Sequence, residues 1–152
     1  MHLRIATQDD LNDLLQFEQA VVEAERPFNQ HIKAKKATYY DIPALINEIN
    51  SQLLILEEKD QIIATGYIQI RPSKQSLSHE KHGYLGFMYV ASEYRGRGLN
   101  RLVMDALIGW GKAQGIDVFY LDVYAENQAA INAYQKLGFK PSLVEMKLDV
   151  SL

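Results

Sequence analysis

The chain has 152 residues, of which 47% are hydrophobic and 23% charged, and it contains no cysteine. This composition is typical of a globular protein, and the lack of cysteine excludes disulfides, thiolate metal sites and a cysteine nucleophile. The net charge of −3 argues against a nucleic-acid partner.

The sequence predicts a cytoplasmic protein that consists of one domain, residues 1–152. Its first residues lack the basic and apolar regions that define a signal peptide. No apolar run approaches the roughly 20 residues that a membrane span requires, so no membrane partner is expected. No repeat, low-complexity tract or linker divides the chain.

The first predicted elements are a short strand and an amphipathic helix. Leu3 and Ile5 favour the strand, and Thr7 with Asp10 resembles a capping box at the start of the helix. Apolar residues recur along one side of this helix at Leu11, Leu14, Leu15, Val21 and Val22. Residues 26–40 show no clear period and are predicted to be a loop or an irregular helix.

A short helix and a hairpin follow. Asp41 and Pro43 mark the start of the helix, because aspartate caps helices and proline fits the first turn. Residues 53–57 and 61–71 are predicted to be two strands joined by a polar turn. A third strand is predicted over residues 83–90.

The helix with the clearest period follows the third strand. Its apolar stripe consists of Leu99, Leu102, Val103, Ala106, Leu107 and Trp110. Gly115 ends this helix. Residues 118–123 are a predicted strand, Asn127 begins a last helix that Gly138 ends, and residues 144–148 alternate like a final strand. This order predicts an α/β (α+β) fold, in which a mixed sheet is flanked by helices on both faces.

The strongest candidate for a ligand site lies between the third strand and the long helix, in the segment YRGRGLN, residues 94–100. Gly96 and Gly98 let the backbone curl tightly, and the helix start offers unpaired N–H groups with a partial positive charge. Together these features suit a phosphate or pyrophosphate. Positive charge would come from Arg95, Arg97 or Arg101. The alternative is a tight turn that binds nothing.

Two other phosphate-binding motifs do not fit this segment. A P-loop requires G-x-x-x-x-G-K-[ST], which the chain lacks, and a dinucleotide fingerprint requires a third glycine where Arg101 stands. Asp122 lies near the spacing of a ribose-binding acid. It falls within a predicted strand, however, and the chain after the turn is too short for that domain.

Over residues 83–139 the chain closely resembles the GNAT superfamily of N-acetyltransferases. The parts occur in the family's order: the strand GYLGFMYV, the turn YRGRG, the apolar helix, the strand VFYLDVYAEN and the pattern N-x-x-A-x-x-x-Y-x-x-x-G-F that starts at Asn127. The opening Ile5-Ala6-Thr7 also looks like the family's first strand and helix. The resemblance implies a splayed sheet and a direct transfer from acetyl-CoA, as co-substrate, to an amine in a ternary complex without a metal.

The resemblance also implies which residues hold acetyl-CoA. Backbone groups of the central strand would pair with the pantetheine arm, amides of the turn would hold the pyrophosphate, and the last helix would face the arm and its sulfur. These residues are Met88, Tyr89, Val90, Arg95, Gly96, Arg97, Gly98, Leu99, Asn100, Asn127, Ala130 and Tyr134. The family turn, [Q/R]-x-x-G-x-[G/A], starts at Arg95 with Asn100 in its last position, or at Glu93 in a register shifted by two. Gly98 is kept in both registers.

Tyr134 is the candidate proton donor for the departing thiolate. The resemblance places it near the sulfur, and a phenol there can donate its proton. It stands seven residues after Asn127, on about the same face of the last helix. The alternative is a core tyrosine that packs with Ala130 and Leu137.

Two residues are candidates for the catalytic base. Some family members carry a glutamate on the strand before the turn, at a position that Tyr84 occupies here. Glu80 and His82 lie four and two residues upstream, on the same face if the strand extends that far, and either could accept a proton through water. A solvated strand end is the alternative for both. His79, Glu80 and His82 are not predicted to bind a metal, because no fourth ligand or helical spacing accompanies them.

The acceptor site is expected in the first two helices and the segment between them. Residues 1–60 carry 6 Lys+Arg and 11 Asp+Glu, whereas residues 61–152 carry 10 and 8. Because an acidic cleft concentrates cations, we expect a small cationic amine as acceptor. Solvated helix faces are the alternative. Candidate contacts are Glu23, Glu25, Arg26, Phe28, Tyr39 and, for a carboxylate on the acceptor, Arg71.

Two other functions are compatible with the sequence. A coenzyme A-binding sensor or interaction domain would keep the fold without turnover. A structural partner protein would use the sheet edges and would not need the glycine turn to bind anything. A homodimer is compatible with all three functions.

Overall fold

Five strands form one mixed sheet in the first of the two units into which the chain divides. The computed structural model describes all 152 residues, with Met1–Asp122 in the first unit and Val123–Leu152 in the second. The first unit contains β1 (His2–Ile5), α1 (Leu11–Glu25), α2 (Ile42–Asn47), β2 (Ser51–Glu58), β3 (Gln61–Pro72), β4 (Lys81–Val90), α3 (Leu99–Ala113) and β5 (Phe119–Tyr120). The second unit contains α4 (Gln128–Lys136). That the chain forms one domain stays a prediction.

The strand order is β1-β2-β3-β4-β5, antiparallel between the first four strands and parallel between β4 and β5. This arrangement confirms the mixed sheet and the hairpin of β2 and β3. Residues 53–56 of β2 are all buried, because helices cover both faces of the sheet near its centre. No helix of the chain has the length and apolar character that crossing a membrane demands.

The two faces of the sheet carry different helices. α1 and α2 pack on one face, where Leu14, Ile42 and Tyr67 belong to a buried apolar cluster. α3 packs on the other face, where Val103 comes close to Gly66. The prediction of helices on both faces is therefore confirmed.

Arg4 anchors the start of α1 to the first two strands. Its guanidinium donates to the Asp10 carboxylate at 2.9 and 2.8 Å and to the Glu57 carboxylate at 3.1 Å. Asp10 also accepts the Thr7 N–H at 2.7 Å, which is the acidic half of the predicted capping box. The hydrogen bond from Arg4 lowers the pKa of Asp10. The interaction between Asp10 and Arg4 therefore stabilises the fold fully above the ordinary pKa of aspartate. This stabilisation is lost as the pH falls from that value through the lowered pKa of Asp10.

Two predicted strands differ from the structure. The strand expected over residues 118–123 is reduced to Phe119–Tyr120 in the first unit, and residues 144–148 form no strand in the second unit taken by itself. A strand exists through backbone hydrogen bonds to a neighbour, and local alternation of side chains does not supply that neighbour. Residues 26–40 begin with a 3-10 turn, Arg26–Phe28, and are otherwise irregular, as predicted.

Two glycines of α3 provide a matched test of its packing. Gly109 is exposed and a Cβ there would meet no atom within 4 Å, so Gly109→Ala should stabilise the protein by up to about 1 kcal/mol through helix propensity. Gly111 is buried and a Cβ there would lie 2.6 Å from Phe119 Cε1, so Gly111→Ala should destabilise it by about 1–3 kcal/mol. Urea unfolding measures both effects. Equal unfolding midpoints would contradict the packing of α3 against β5.

Candidate functional site

The middle of β4 carries a bulge. The pairing of β3 with β4 changes register between Thr65 and Tyr67, and Phe87 has a φ of 54°, which is unusual for a residue with a side chain. One extra residue in β4 reverses the alternation of its side chains. Tyr84 before the bulge and Phe87 within it therefore both pack toward the face that carries α1 and α2.

The bulge lies where β4 loses its neighbour on one side. β5 pairs with β4 only at Gly83 and Tyr84, whereas β3 pairs with β4 as far as Val90. Residues 85–90 therefore present one edge with no partner strand in the first unit. Six residues of strand extend about 20 Å, enough for an elongated ligand with amide groups to pair as an added strand. This edge contains the three strand residues predicted to hold the pantetheine arm.

The glycine turn continues from this edge. A 3-10 turn, Ser92–Tyr94, leads to Gly96 and Gly98, whose φ angles are 78° and 74°, and α3 starts at Leu99. A Cβ at either glycine would meet no atom within 4 Å, so the space beside both is open. The first N–H groups of α3 have no partner within the helix and can donate to an anion. The turn therefore fits the pyrophosphate predicted for it.

The backbone distinguishes between the two registers of the turn motif. Counted from Glu93, the two small-residue positions fall on Gly96 and Gly98, which both have positive φ. Counted from Arg95, they fall on Gly98 and Asn100, and Asn100 already lies in α3. Positive φ is what makes a glycine necessary. The geometry therefore favours the register that starts at Glu93 over the one that starts at Arg95.

The guanidinium groups of two arginines lie beside the turn. Arg95 donates from Nε to the carbonyl oxygen of Val90 at 3.0 Å. The guanidinium carbon of Arg97 lies 5.0 Å from the centre of the Tyr94 ring. Arg101 is exposed in α3, with its Nε 3.7 Å from a carboxylate oxygen of the residue one turn on. Arg95 and Arg97 are thus better placed than Arg101 to favour an anion.

On the face that carries α1 and α2, Tyr84 connects β4 to Asp122, which lies two residues after β5. Its hydroxyl donates to Asp122 Oδ2 at 2.8 Å, and the Arg71 guanidinium carbon lies 3.9 Å from the centre of its ring. Burial and the hydrogen bond to Asp122 raise the pKa of Tyr84, so its phenol remains a proton-bearing donor at neutral pH. Sequence reasoning considered Asp122 only as a ribose-binding acid and rejected that role. Asp122 lies two residues after Tyr120, and residues at that spacing in an extended segment share a face, so the sequence could have placed both on this face.

His82 joins this face, and Glu80 does not. His82 lies two residues before Tyr84 and directly opposite Arg71 in β3. Burial, with the nearby His79 and Arg71, lowers the pKa of His82, which favours the neutral form of a base. Glu80 is exposed in the turn before β4, where its carbonyl oxygen accepts a backbone hydrogen bond. No three His, Cys, Asp or Glu side chains lie close enough together to hold a metal ion.

The segment between α1 and α2 adds an aromatic cluster to this face. Tyr40 stacks on Phe87 with ring centroids 4.6 Å apart and meets Tyr67 edge-on at 5.9 Å. Glu18 is 1% exposed and fixes this segment, because one carboxylate oxygen accepts the N–H groups of Tyr39 and Tyr40, both at 2.8 Å. Sequence reasoning missed Glu18. Its position on the apolar stripe of α1 indicated a buried acid, which needs such donors.

Glu25 is a half-buried acid at the end of α1. Burial, followed by the negative charge of Glu25, raises the pKa of the Tyr40 phenol, and burial also raises the pKa of Glu25 itself. Three other acids of the first 60 residues form ion pairs with arginines, namely Asp10 and Glu57 with Arg4 and Glu23 with Arg26. These carboxylates are therefore engaged within the protein.

The second unit carries three of the residues predicted to hold the donor. Asn127 caps α4, because its Oδ1 accepts the Ala130 N–H at 3.2 Å. Tyr134 has its ring 6.0 Å from that of Phe139, and Gly138 follows the helix with a φ of 99°. The predicted helix and its glycine are confirmed. The roles of Asn127, Ala130 and Tyr134 toward the donor stay a prediction.

Known proteins resemble this chain in sequence. Residues 16–139 match the family described as Acetyltransferase (GNAT) family. The uncharacterized N-acetyltransferase YobR of Bacillus subtilis is 32% identical over 84 residues, which are 55% of this chain and 31% of YobR. The mycothiol acetyltransferase of Renibacterium salmoninarum is 28% identical over 116 residues, 74% of this chain and 34% of that protein. The chain thus spans about a third of the length of these two relatives.

Solved structures share the fold over nearly the whole chain. A tetramutant of the BH1408 protein from Bacillus halodurans superimposes with a TM-score of 0.87 at 28% identity, covering 99% of this chain and 100% of BH1408. A predicted acetyltransferase from Clostridium acetobutylicum, solved with acetyl-CoA, has a TM-score of 0.76 at 21% identity, with 98% and 96% covered. At that identity the second likeness concerns the fold alone.

The glycine turn generates a test of donor binding. Gly98→Val should weaken the binding of acetyl-CoA by about tenfold or more, the effect of roughly 1.4 kcal/mol. A β-branched side chain is strained at a φ of 74° and fills the open space beside the turn. Calorimetric titration with acetyl-CoA measures the affinity. Gly109→Ala, an exposed change further along α3, is the control and should bind normally. Unchanged affinity in a folded Gly98→Val variant would show that the pyrophosphate does not bind at this turn.

Proposed function

Because this chain belongs to the acetyltransferase (GNAT) family, we propose that it transfers the acetyl group of acetyl-CoA to a primary amine by direct attack in a ternary complex. The observation that carries this proposal is the unpaired edge of β4, which begins after Tyr84 and leads to the glycine turn. An extended thioester with a pyrophosphate near one end matches the length and chemistry of that path. A covalent enzyme intermediate is not expected, because no activated nucleophile is evident.

Backbone groups hold most of the donor in this proposal. The β4 residues from Met88 to Val90 pair with the amides of the pantetheine arm, and the N–H groups of residues 95–100 hold the pyrophosphate. An N–H group of the same β4 edge polarises the thioester carbonyl, because a fixed dipole stabilises the negative charge that develops on its oxygen. Family resemblance, and not the geometry of the first unit, assigns Asn127 and Ala130 to the same ligand.

The reaction needs a neutral amine and a proton for the departing sulfur. His82 accepts a proton from the acceptor amine, directly or through a water molecule. The amine nitrogen then forms a bond to the acetyl carbon, and the carbon–sulfur bond breaks with its electron pair on sulfur. Tyr134, which family resemblance assigns to this role, donates a proton to the thiolate and regains one from solvent. The nitrogen, which is positively charged after the attack, loses its second proton to solvent. The products are an amide and free coenzyme A.

A small cationic amine fits the face that carries α1 and α2. Aromatic rings attract cations, and Tyr40 and Tyr67 form part of this face. Glu25 supplies a half-buried negative charge near Tyr40. Arg71 lies over the ring of Tyr84, and we expect a carboxylate on the acceptor to meet its guanidinium. We therefore expect a second ammonium group of the acceptor, one that does not react, on the Glu25 side.

The proposed function is tested in two steps. Calorimetry with acetyl-CoA establishes donor binding, and release of the coenzyme A thiol over a panel of amines establishes transfer. We expect binding and amine-dependent release. Binding without release from any amine would indicate a coenzyme A-binding sensor instead of an enzyme. If acetyl-CoA does not bind, the glycine turn is not a binding site for its pyrophosphate.

Substitution of Tyr134 separates turnover from donor affinity. Tyr134→Phe should lower kcat by about 10²-fold or more, because the ring is kept and the proton donor is lost. The dissociation constant of acetyl-CoA should change little. Single-turnover measurements isolate the chemical step from product release. Equal single-turnover rates for the wild-type protein and Tyr134→Phe would show that Tyr134 only packs and does not donate the proton.

Substitution of Glu25 tests the class of acceptor. Glu25→Gln should raise the KM of a diamine by roughly fivefold, the effect of about 1 kcal/mol of lost attraction, and should leave the KM of a neutral amine unchanged. Asp13→Asn removes the same charge from an exposed position of α1 and is the matched control. The difference between diamine and neutral amine should shrink as ionic strength rises. A best acceptor that is anionic would contradict the cationic assignment.

A further inference from the structure

A chain of hydrogen-bonding side chains ends at His82. The Nδ1 atoms of His82 and His79 lie 2.9 and 2.7 Å from the same atom, Ser73 Oγ. The other ring nitrogen of His79, Nε2, lies 3.0 Å from the Tyr120 hydroxyl. The backbone N–H of Ser73 donates to the carbonyl oxygen of Glu80 at 2.8 Å, which fixes the serine in place. We call the four side chains His82, Ser73, His79 and Tyr120 the histidine chain.

The two histidines have opposite roles in this chain. A serine hydroxyl has one proton to donate, so Ser73 donates to one Nδ1 and accepts from the other. If Ser73 accepts from His82, then His82 carries its proton on Nδ1 and its Nε2 is an unprotonated acceptor. If Ser73 accepts from His79, then His82 carries its proton on Nε2 and cannot act as a base there.

Proton uptake by His82 is compatible with only one of these arrangements. An imidazolium carries a proton on both nitrogens, so its Nδ1 must donate to Ser73, and Ser73 must then donate to His79. No hydrogen bond of the histidine chain breaks when His82 gains a proton at Nε2. If both rings were protonated, Ser73 would face two donors and its own proton would lose its acceptor. The histidine chain therefore accommodates one added proton and resists a second.

The groups around His82 keep it ready to accept that proton. Arg71 lies opposite it in β3, the His79 ring is 6.3 Å away between centroids, and the Tyr120 ring packs edge-on at 4.9 Å. Burial, and then electrostatic interaction with His79 and Arg71, lower the pKa of His82. Tyr84, the next residue of β4 on this face, stays a neutral phenol. His82 is therefore unprotonated near neutral pH.

We propose that Ser73 and His79 are positioning residues that hold His82 in the tautomer with its proton on Nδ1, so that His82 Nε2 accepts the proton of the acceptor amine. This inference rests on the proposed acetyl transfer. The N–H bond of the ammonium group breaks, its electron pair stays on nitrogen, and the proton binds the lone pair of His82 Nε2. His82 later gives this proton to solvent, so one proton is released for each ammonium group that becomes an amide.

The tautomer of His82 is measured directly by nitrogen NMR of protein labelled at its 4 histidines. In the wild-type protein, we expect protonated Nδ1 and unprotonated Nε2 at His82. Ser73→Ala should shift the proton toward Nε2, and Ser73→Thr, which keeps a hydroxyl, should restore the wild-type pattern. Ser76→Ala, an exposed change in the same turn, is the control and should leave the pattern unchanged. A wild-type His82 protonated on Nε2 would overturn the proposal.

The pH profile of turnover separates positioning from a merely structural role. The acidic limb of kcat/KM marks the protonation of free His82, and His82→Gln should abolish that limb. Ser73→Ala removes the oxygen that accepts the Nδ1–H of protonated His82, so the pKa of His82 falls and the limb should move to lower pH. Ser73→Ala should lower kcat by about tenfold, the order of one lost hydrogen bond, with unchanged binding of acetyl-CoA. An unmoved limb in folded Ser73→Ala would also overturn the proposal.

The two readouts distinguish failure of this inference from failure of the proposed function. If the wild-type protein releases no coenzyme A with any amine, the acetyl transfer is wrong and the proton-accepting role of His82 falls with it. The NMR pattern still decides whether Ser73 and His79 set the His82 tautomer. If transfer occurs and His82 carries its proton on Nε2, the function stands and the positioning role is wrong.

Discussion

The loss of a partner strand along β4 is the constraint on which the rest of the candidate site depends. β5 leaves β4 after Tyr84, and the bulge at Phe87 follows within three residues. A non-glycine residue in the left-handed region costs on the order of 1–3 kcal/mol, and full burial of a phenylalanine side chain contributes about 1.5–3 kcal/mol. Phe87 is 2% exposed and stacks on Tyr40. Packing of its ring can therefore offset the backbone strain that opens the edge.

The bulge also divides the chemistry between the two faces of the sheet. It reverses the side-chain alternation, so that Met88 approaches Gly66 on the side of α3, while Tyr84 and Phe87 face α1 and α2. The free backbone edge between these faces is suited to an extended donor. The aromatic and polar side chains lie together on one face, where an amine can approach. One local irregularity thus gives the two substrates of the proposed reaction different surfaces.

The net charge of the sequence does not show which charged side chains are engaged within the fold and which are available to a ligand. Arg4 forms ion pairs with both Asp10 and Glu57, which stabilises the start of α1. The Glu18 carboxylate accepts two backbone N–H groups and thereby fixes the position of the segment that carries Tyr39 and Tyr40. The polar groups that remain near the candidate acceptor face are fewer and more specific than the counts of acids suggest. A lone buried carboxylate needs donors, so position in the fold decides which acids are available to a ligand.

The sequence by itself determined the features that depend on local chemistry. The period of α3 predicted its apolar side, and the glycines of the turn predicted a backbone that only glycine adopts readily, because both follow from neighbouring residues. Family motifs predicted the donor path along β4. The tertiary structure decided the bulge at Phe87 and the short β5. It also brought Tyr120 to His79 and His82, and buried Glu18 against a distant segment. These features arise from contacts between residues that are far apart in the chain, and the alternation or spacing of neighbours carries no information about which distant groups will meet.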